Sequence, residues 1–194
     1  MALEKAKYTV VEKQKKQAFE LRKYEPQIVA ETFVEGDFEQ VGNEGFRRLF
    51  DYISGKNLSK QSIAMAAPVS QEAKSEKISM TAPVNMERMG ERYRITFVMP
   101  SHYTMETLPE PLDSRVELRE ISGQLMAALR YSGTWSQSRY EEKKDRLFEL
   151  IGKSGLRPVG EPVFARYNPP FMPWFLRRNE VLIPVEQGFR MPTD

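Results

Sequence analysis

The feature that most constrains this chain is an internal echo at a fixed separation. Phe19-Glu20-Leu21-Arg22 returns as Val116-Glu117-Leu118-Arg119, 97 residues later. The same separation pairs Gln27 with Gln124, Ile28 with Leu125, Ala30 with Ala127, Gly36 with Gly133 and Phe38 with Trp135. A unit repeated in tandem folds twice by the same rules, and two copies bury together what one copy leaves exposed. Each copy opens on a segment rich in strand formers, 19–34 and 116–131, and a glycine follows shortly after.

Beyond each glycine stands a helix signal. Asp37-Phe38-Glu39-Gln40 and Thr134-Trp135-Ser136-Gln137 set a capping residue three positions before a glutamine, which predicts a capping box in both copies. The first helix then carries Phe38, Val41, Phe46, Leu49, Phe50 and Ile53; the second carries Trp135, Tyr140, Leu147, Phe148 and Ile151. These apolar residues recur mostly at three- and four-residue steps, so each helix should lie on a sheet. Gly55, and Gly152 or Gly155, suit the C-terminal stops.

Extended segments follow at 63–69, 78–84 and 93–99 in the first copy, and at 156–167 and 180–186 in the second. The expected fold is α+β, with internally duplicated strand–helix–strand–strand units forming a distorted antiparallel β-barrel or sheet flanked by two helices. Residues 1–194 are read as a single domain, with pseudo-repeats at 19–99 and 116–187. A proline-rich connector occupies 100–115. The halves should superimpose with Phe38 equivalent to Trp135. A shorter echo lies inside the first copy, where Ile63-Ala64-Met65-Ala66-Ala67-Pro68-Val69 recurs as Ile78-Ser79-Met80-Thr81-Ala82-Pro83-Val84. The polar stretch between them, 70–77, suits a hairpin loop. Gly42 and Gly45 inside the first helix imply close approach of sheet or ligand.

The rare residues narrow the chemistry. The chain has no cysteine and one histidine, His102. Zinc sites, iron–sulfur clusters and thiol nucleophiles need what it lacks, and neither a nucleophile elbow nor a phosphate-binding glycine loop is present. A non-enzyme is therefore expected. The formal net charge is +2 and no apolar run approaches the length of a membrane span, so neither nucleic acid nor a membrane is an expected partner. The N-terminus carries no secretory pattern, and a cytoplasmic monomer is expected. The 10 methionines with 11 Phe, 8 Tyr and 2 Trp favour an adaptable apolar surface. The segment Asn168-Pro169-Pro170-Phe171-Met172-Pro173-Trp174-Phe175-Leu176 presents several of them on a proline-stiffened loop, either folded onto the core as a lid or left as a gripping edge.

Several motifs together carry a family resemblance. Lys77-Ile78-Ser79-Met80-Thr81-Ala82-Pro83-Val84, Phe97-Val98-Met99-Pro100-Ser101, Leu108-Pro109, Tyr167-Asn168-Pro169-Pro170 and Arg177-Arg178-Asn179-Glu180-Val181 resemble those of the SOUL haem-binding proteins. The doubled Ala-Pro-Val is more like the bacterial and plant members. The resemblance implies non-covalent, non-catalytic binding of haem (b-type) or another porphyrin in a shallow apolar groove. It places Phe46, Leu49, Phe50 and Ile53 on the helix wall and Phe171, Met172, Trp174 and Phe175 on the loop wall; Met80 is expected to converge on the same groove. Arg177 and Arg178 would hold the propionates. Asp51 stands where some animal members carry a lysine, and Met172 where they carry a basic residue.

Two other readings stay open. The duplicated plan also resembles effector-binding domains that take hydrophobic, often cationic, small molecules, with Glu44 or Asp51 as the receiving acid. The proline-rich loop could alternatively grip a protein partner.

Overall fold

The computed structural model describes residues 3–14, 19–60, 74–169 and 171–187. The strands are β1 (Glu4–Lys5), β2 (Tyr8–Gln14), β3 (Phe19–Tyr24), β4 (Gln27–Glu35), β5 (Asn57–Leu58), β6 (Thr81–Ala82) and β7 (Val84–Met89). They continue with β8 (Arg92–Val98), β9 (Glu110–Pro111), β10 (Glu117–Ile121), β11 (Leu125–Tyr131), β12 (Leu156–Pro158), β13 (Val163–Arg166) and β14 (Asn179–Gln187). Helix α1 (Phe38–Ile53) follows β4 and helix α2 (Gln137–Ser154) follows β11.

Each opening segment is two strands where one was expected. The break falls at Glu25-Pro26 in the first copy, because proline cannot continue a ladder, and at Ser122–Gln124 in the second. The strands of each pair then part company: β3 pairs with β11 and β10 pairs with β4, both antiparallel. The first half thus lends β3 to the second, and the second lends β10 to the first. The resulting 10-stranded sheet runs β10-β4-β8-β7-β13-β14-β11-β3-β2, with β12 alongside β14. It is antiparallel and curls into a half-barrel. From β10 to β3 the order is mirrored about the β7–β13 pair, so β4, β8 and β7 face β11, β14 and β13 as counterparts.

Both helices lie on one side of this sheet. Phe38 at the start of α1 stacks on Tyr140 of α2 at 5.3 Å and on Phe164 of β13 at 5.7 Å. Alternation along β11 and β14 turns Ala127, Leu129, Val181, Ile183 and Val185 toward the helices, and Met126, Ala128 and Leu182 away from them. Buried Leu49, Tyr52 and Ile53 of α1 correspond to Leu147, Leu150 and Ile151 of α2 at a separation of 98. Gly36 and Gly133 keep the separation of 97 and share positive φ, +132° and +134°. Phe38 and Trp135 are not equivalent, however. Phe38 follows its N-cap Asp37 and is buried, whereas Trp135 precedes its N-cap Ser136 and is half-buried.

Neither capping box forms, since the side chains of Asp37 and Ser136 make no cap hydrogen bond, and the second N-cap is Ser136 rather than Thr134. The predicted stops hold better, with Gly155 left-handed at the end of α2 and Gly55 just past α1. The expected strand at 63–69 lies outside the described residues. The segment 78–84 is regular only at β6 and from Val84 onward. Ile78 and Met80 reach the helix-side core while Ala82 joins the opposite cluster.

Candidate functional site

Helix α1 lies close to the sheet because Gly45 lets it. A Cβ there would sit 2.6 Å from Ile95 Cγ1 of β8. One turn earlier, Gly42 makes room for the Arg166 guanidinium, whose Nη1 would lie 3.0 Å from an added Cβ. Packing and a charged side chain, respectively, account for the two helix glycines.

Beside that contact runs an apolar groove of about 160 Å³. Phe46 and Gly42 of α1, Met80, Val84, Trp135 and Pro169 are among its walls, and Arg166 is the charged residue there. Phe46 is held in place from two sides, by Phe50 at 5.6 Å and by Phe97 of β8 at 5.4 Å. Arg166 sits over the rings of Trp135 at 4.9 Å and Phe164 at 5.1 Å, and forms no ion pair among the described residues. Burial, with Arg177 nearby, pulls its pKa down to about 10, which leaves it charged at neutral pH.

The predicted site residues divide into three groups. Phe46 and Met80 line the groove, with Phe50 stacked behind Phe46 and 44% exposed. Leu49 and Ile53 do not belong to the site. They point into the core at 0% and 3% exposure, because positions 49, 52 and 53 form the buried stripe of α1. Phe171, Trp174 and Phe175 are 85%, 56% and 58% exposed, joined by Leu176 at 60%. The loop is therefore not a lid folded onto the core. Its described residues form an outward-facing aromatic edge: Asn168 Oδ1 accepts from the Arg178 backbone N–H at 2.6 Å, and a 3-10 turn spans Trp174–Leu176. Met172, half-buried, accepts from Arg177 Nε at 2.8 Å through its carbonyl.

The two arginines differ in fate. Arg177 stacks on the groove residue Trp135 at 4.3 Å. Arg178 is committed elsewhere, paired with Glu180 at 2.8 Å and stacked on Tyr167 at 4.0 Å. As adjacent residues leaving a turn, they face opposite ways, and one of the two propionate assignments falls. Glu44 and Asp51 are also committed, to Arg48 and to Lys56 (2.7 Å) respectively, so neither is a free acid for a cationic ligand. His102 is exposed on the connector, against Tyr103, and is not a groove residue.

Arg166, Trp135 and Pro169 were not singled out as site residues from the sequence. The signal for Arg166 was present: Phe164 and Arg166 are two apart on a strand that points Phe164 at the helices, so Arg166 shares that side. Two larger cavities, of about 420 and 680 Å³, open away from this groove. Arg94, Arg119, Glu87, Gln27 and Asn85 line the first, and Glu4, Lys5 and Lys7 are among the walls of the second. Charged walls of that kind do not suit a flat apolar ligand.

The match to known proteins covers almost the whole molecule. A family model described as SOUL heme-binding protein matches residues 3–184. The chain belongs to the SOUL haem-binding family. Within that family, it is 25% identical over 165 residues to Heme-binding protein 1 of Xenopus laevis, covering 84% of this chain and 82% of the relative. It is 26% identical over 173 residues to human Heme-binding protein 2, covering 84% of this chain and 80% of the relative. Among solved structures, this SOUL protein is similar in fold to the EcmrR C-terminal domain. That match has a TM-score of 0.57 at 12% identity, over 87% of this chain and 97% of that one. A hydrolase from Listeria innocua matches with a TM-score of 0.57 at 13% identity, over 88% and 92% of the two chains. Likenesses at this identity establish the half-barrel with its two helices and nothing about chemistry.

Proposed function

We propose that this SOUL protein binds haem, or a related tetrapyrrole, non-covalently in the groove between α1 and the segment 166–169, and holds it without chemical change. The observation that carries the reading is the groove itself: an apolar slot on the family's haem-binding scaffold, walled by Phe46, Met80, Val84 and Trp135, with one unpaired arginine. A porphyrin is a flat apolar plate with two carboxylates, and those walls and that charge are its chemical complement.

At about 160 Å³ the groove admits an edge of the macrocycle rather than the whole. Pockets that enclose such ligands run to roughly 300–1,000 Å³. The exposed Phe171, Trp174 and Phe175 extend the apolar surface beside the slot, and supply the remaining wall in this reading. No histidine lines the groove, and the chain has no cysteine, so affinity rests on buried macrocycle rather than on an imidazole or thiolate bond to iron.

An absorbance titration of the purified protein with haem tests this. A shifted, saturable Soret band at one equivalent is the expected result, and an unperturbed spectrum overturns the reading. The exposed loop supports a second function, the capture of a protein partner through Phe171, Trp174, Phe175 and Leu176, since contiguous exposed apolar side chains mark interaction sites. Partner capture by a protein that takes up no tetrapyrrole would favour that alternative.

A further inference from the structure

The apolar groove and the cavity of about 680 Å³ are neighbours, with Thr81 of β6 in the walls of both. Alongside β6 runs β1, in a parallel pair only two residues long: Glu4 with Thr81 and Lys5 with Ala82. The segment 3–6 therefore lies between the two spaces. Leu3, 46% exposed, is a wall of the groove, while Glu4, Lys5 and Ala6 are walls of the cavity.

Little holds this segment down. Besides the two-residue pair, the Ala6 N–H donates to the Ala82 carbonyl at 2.9 Å, and the Ser101 N–H donates to Glu4 Oε1 at 3.0 Å. Leu3, Glu4 and Lys5 are exposed, and Ala6 supplies the one buried side chain. A segment with so few buried apolar contacts opens locally at low cost. The chain is anchored immediately afterwards, where the Lys7 carbonyl accepts from the Glu25 N–H at 3.1 Å and β2 begins at Tyr8.

We propose that residues 3–6 form a displaceable strap, which closes one end of the groove with Leu3 in the empty protein and peels from β6 to admit a ligand. Closed, the groove holds about 160 Å³. That is less than the roughly 300–1,000 Å³ of a small-molecule pocket. Opening joins it to the neighbouring cavity, and two of that cavity's charged walls, Glu4 and Lys5, leave with the strap. The strap thus competes with the ligand, and the apparent affinity is the intrinsic one scaled by the open fraction. The identity of the ligand rests on the tetrapyrrole reading; the opening of the strap does not.

One test needs no ligand. In hydrogen exchange of the full chain, the Ala6 amide should exchange at least about a hundredfold faster than the slowest amides of β14. Exchange of Ala6 at the rate of those amides overturns the proposal. The second test uses Lys5→Cys with Ala82→Cys, register partners in a chain without cysteine, so that oxidation pins the strap and reduction frees it. Pinning should slow protoporphyrin association at least about tenfold relative to the same protein reduced, and should slow Ala6 exchange as much. Leu3→Gly with Glu4→Ala needs no crosslink, and should speed association and tighten binding at least about threefold. Equal association in the pinned and freed forms, or unchanged or weaker binding by the loosened variant, overturns the strap. If no form takes up haem or protoporphyrin, the tetrapyrrole reading falls, and Ala6 exchange in the pinned and freed forms alone decides: slowing sustains the strap and an unchanged rate overturns it.

Discussion

Arg22 Nη1 lies 2.6 Å from Glu180 Oε2, and Arg22 Nη2 lies 3.0 Å from Glu180 Oε1, across a sequence distance of 158 residues. The pair joins β3 from the start of the chain to β14 near its end, on the side of the sheet away from the helices. Tyr167 donates to the same carboxylate at 2.8 Å, and Arg178 supplies two further bonds. Both Arg22 and Glu180 are nearly inaccessible, at 2% and 0%. Such a pair does not by itself add much stability over apolar residues of the same size, but breaking it strands a charge. Glu180→Ala should accordingly destabilise the protein by about 3–5 kcal/mol in denaturant unfolding. Arg22→Met combined with Glu180→Leu should cost clearly less than the sum of the single changes. Additive losses would show that the two do not act as a unit.

The same network sets an acid limit. Burial pushes the Glu180 carboxyl up, but Arg22 and Arg178 more than offset this and hold it below the ordinary carboxylate range. A depressed folded pKa contributes stability that is complete above the unfolded value and lost as pH falls through the folded one. Thermal unfolding should therefore show a melting temperature that drops as the solution is acidified below about pH 4, beneath the unfolded carboxylate value. Glu180→Gln should flatten that dependence while lowering stability at neutral pH. An unchanged acid slope in Glu180→Gln would assign it to other carboxylates.

The helix wall offers a paired test, because adjacent residues of α1 have opposite roles. Leu49 is fully buried and Phe50 is 44% exposed behind Phe46. Leu49→Ala should cost about 2–5 kcal/mol of stability. Phe50→Asp should leave circular dichroism and the melting temperature near those of the wild type, yet weaken haem or porphyrin binding by removing the ring that backs Phe46. Normal binding by Phe50→Asp would place the ligand away from this end of the groove.

That pair also shows where sequence reading stops. The helical steps put both residues on one apolar stripe, since a stripe broad enough to include positions 46, 49, 50 and 53 cannot reveal where its edge lies. The edge is set by the packing beneath: Gly45 rests on Ile95 of β8 and Leu49 and Ile53 are buried, while Phe50 is left outside. The alternation, the echo and the glycine before each helix were legible because local geometry produces them. The exchange of β3 and β10 between copies was not, since Glu25-Pro26 and Ser122–Gln124 mark a break without saying where the chain goes next. Arg177 and Arg178 looked equivalent as neighbours. Arg178 is claimed by Glu180, a partner that only the folded register brings beside Tyr167 and Arg22. Arg166 went unremarked because one arginine on a short strand carries no motif.

The remaining expectation concerns iron. His102 is exposed on the connector, in ring contact with Tyr103 at 4.2 Å, and is absent from the walls of the groove. A haem seated between Phe46 and the exposed aromatic loop would draw its affinity from buried apolar area, at about 25 cal/mol per Å². Imidazole ligation would add a contribution that iron-free porphyrin cannot share. Without it, haem and protoporphyrin should bind within about tenfold of each other, a difference of about 1.4 kcal/mol. His102→Ala should bind both as the wild type does. Paired absorbance and fluorescence titrations of the two proteins decide the matter. Loss of haem binding in His102→Ala, with protoporphyrin binding retained, would show that the connector reaches the iron and that the plate lies on the Tyr103 side of the molecule.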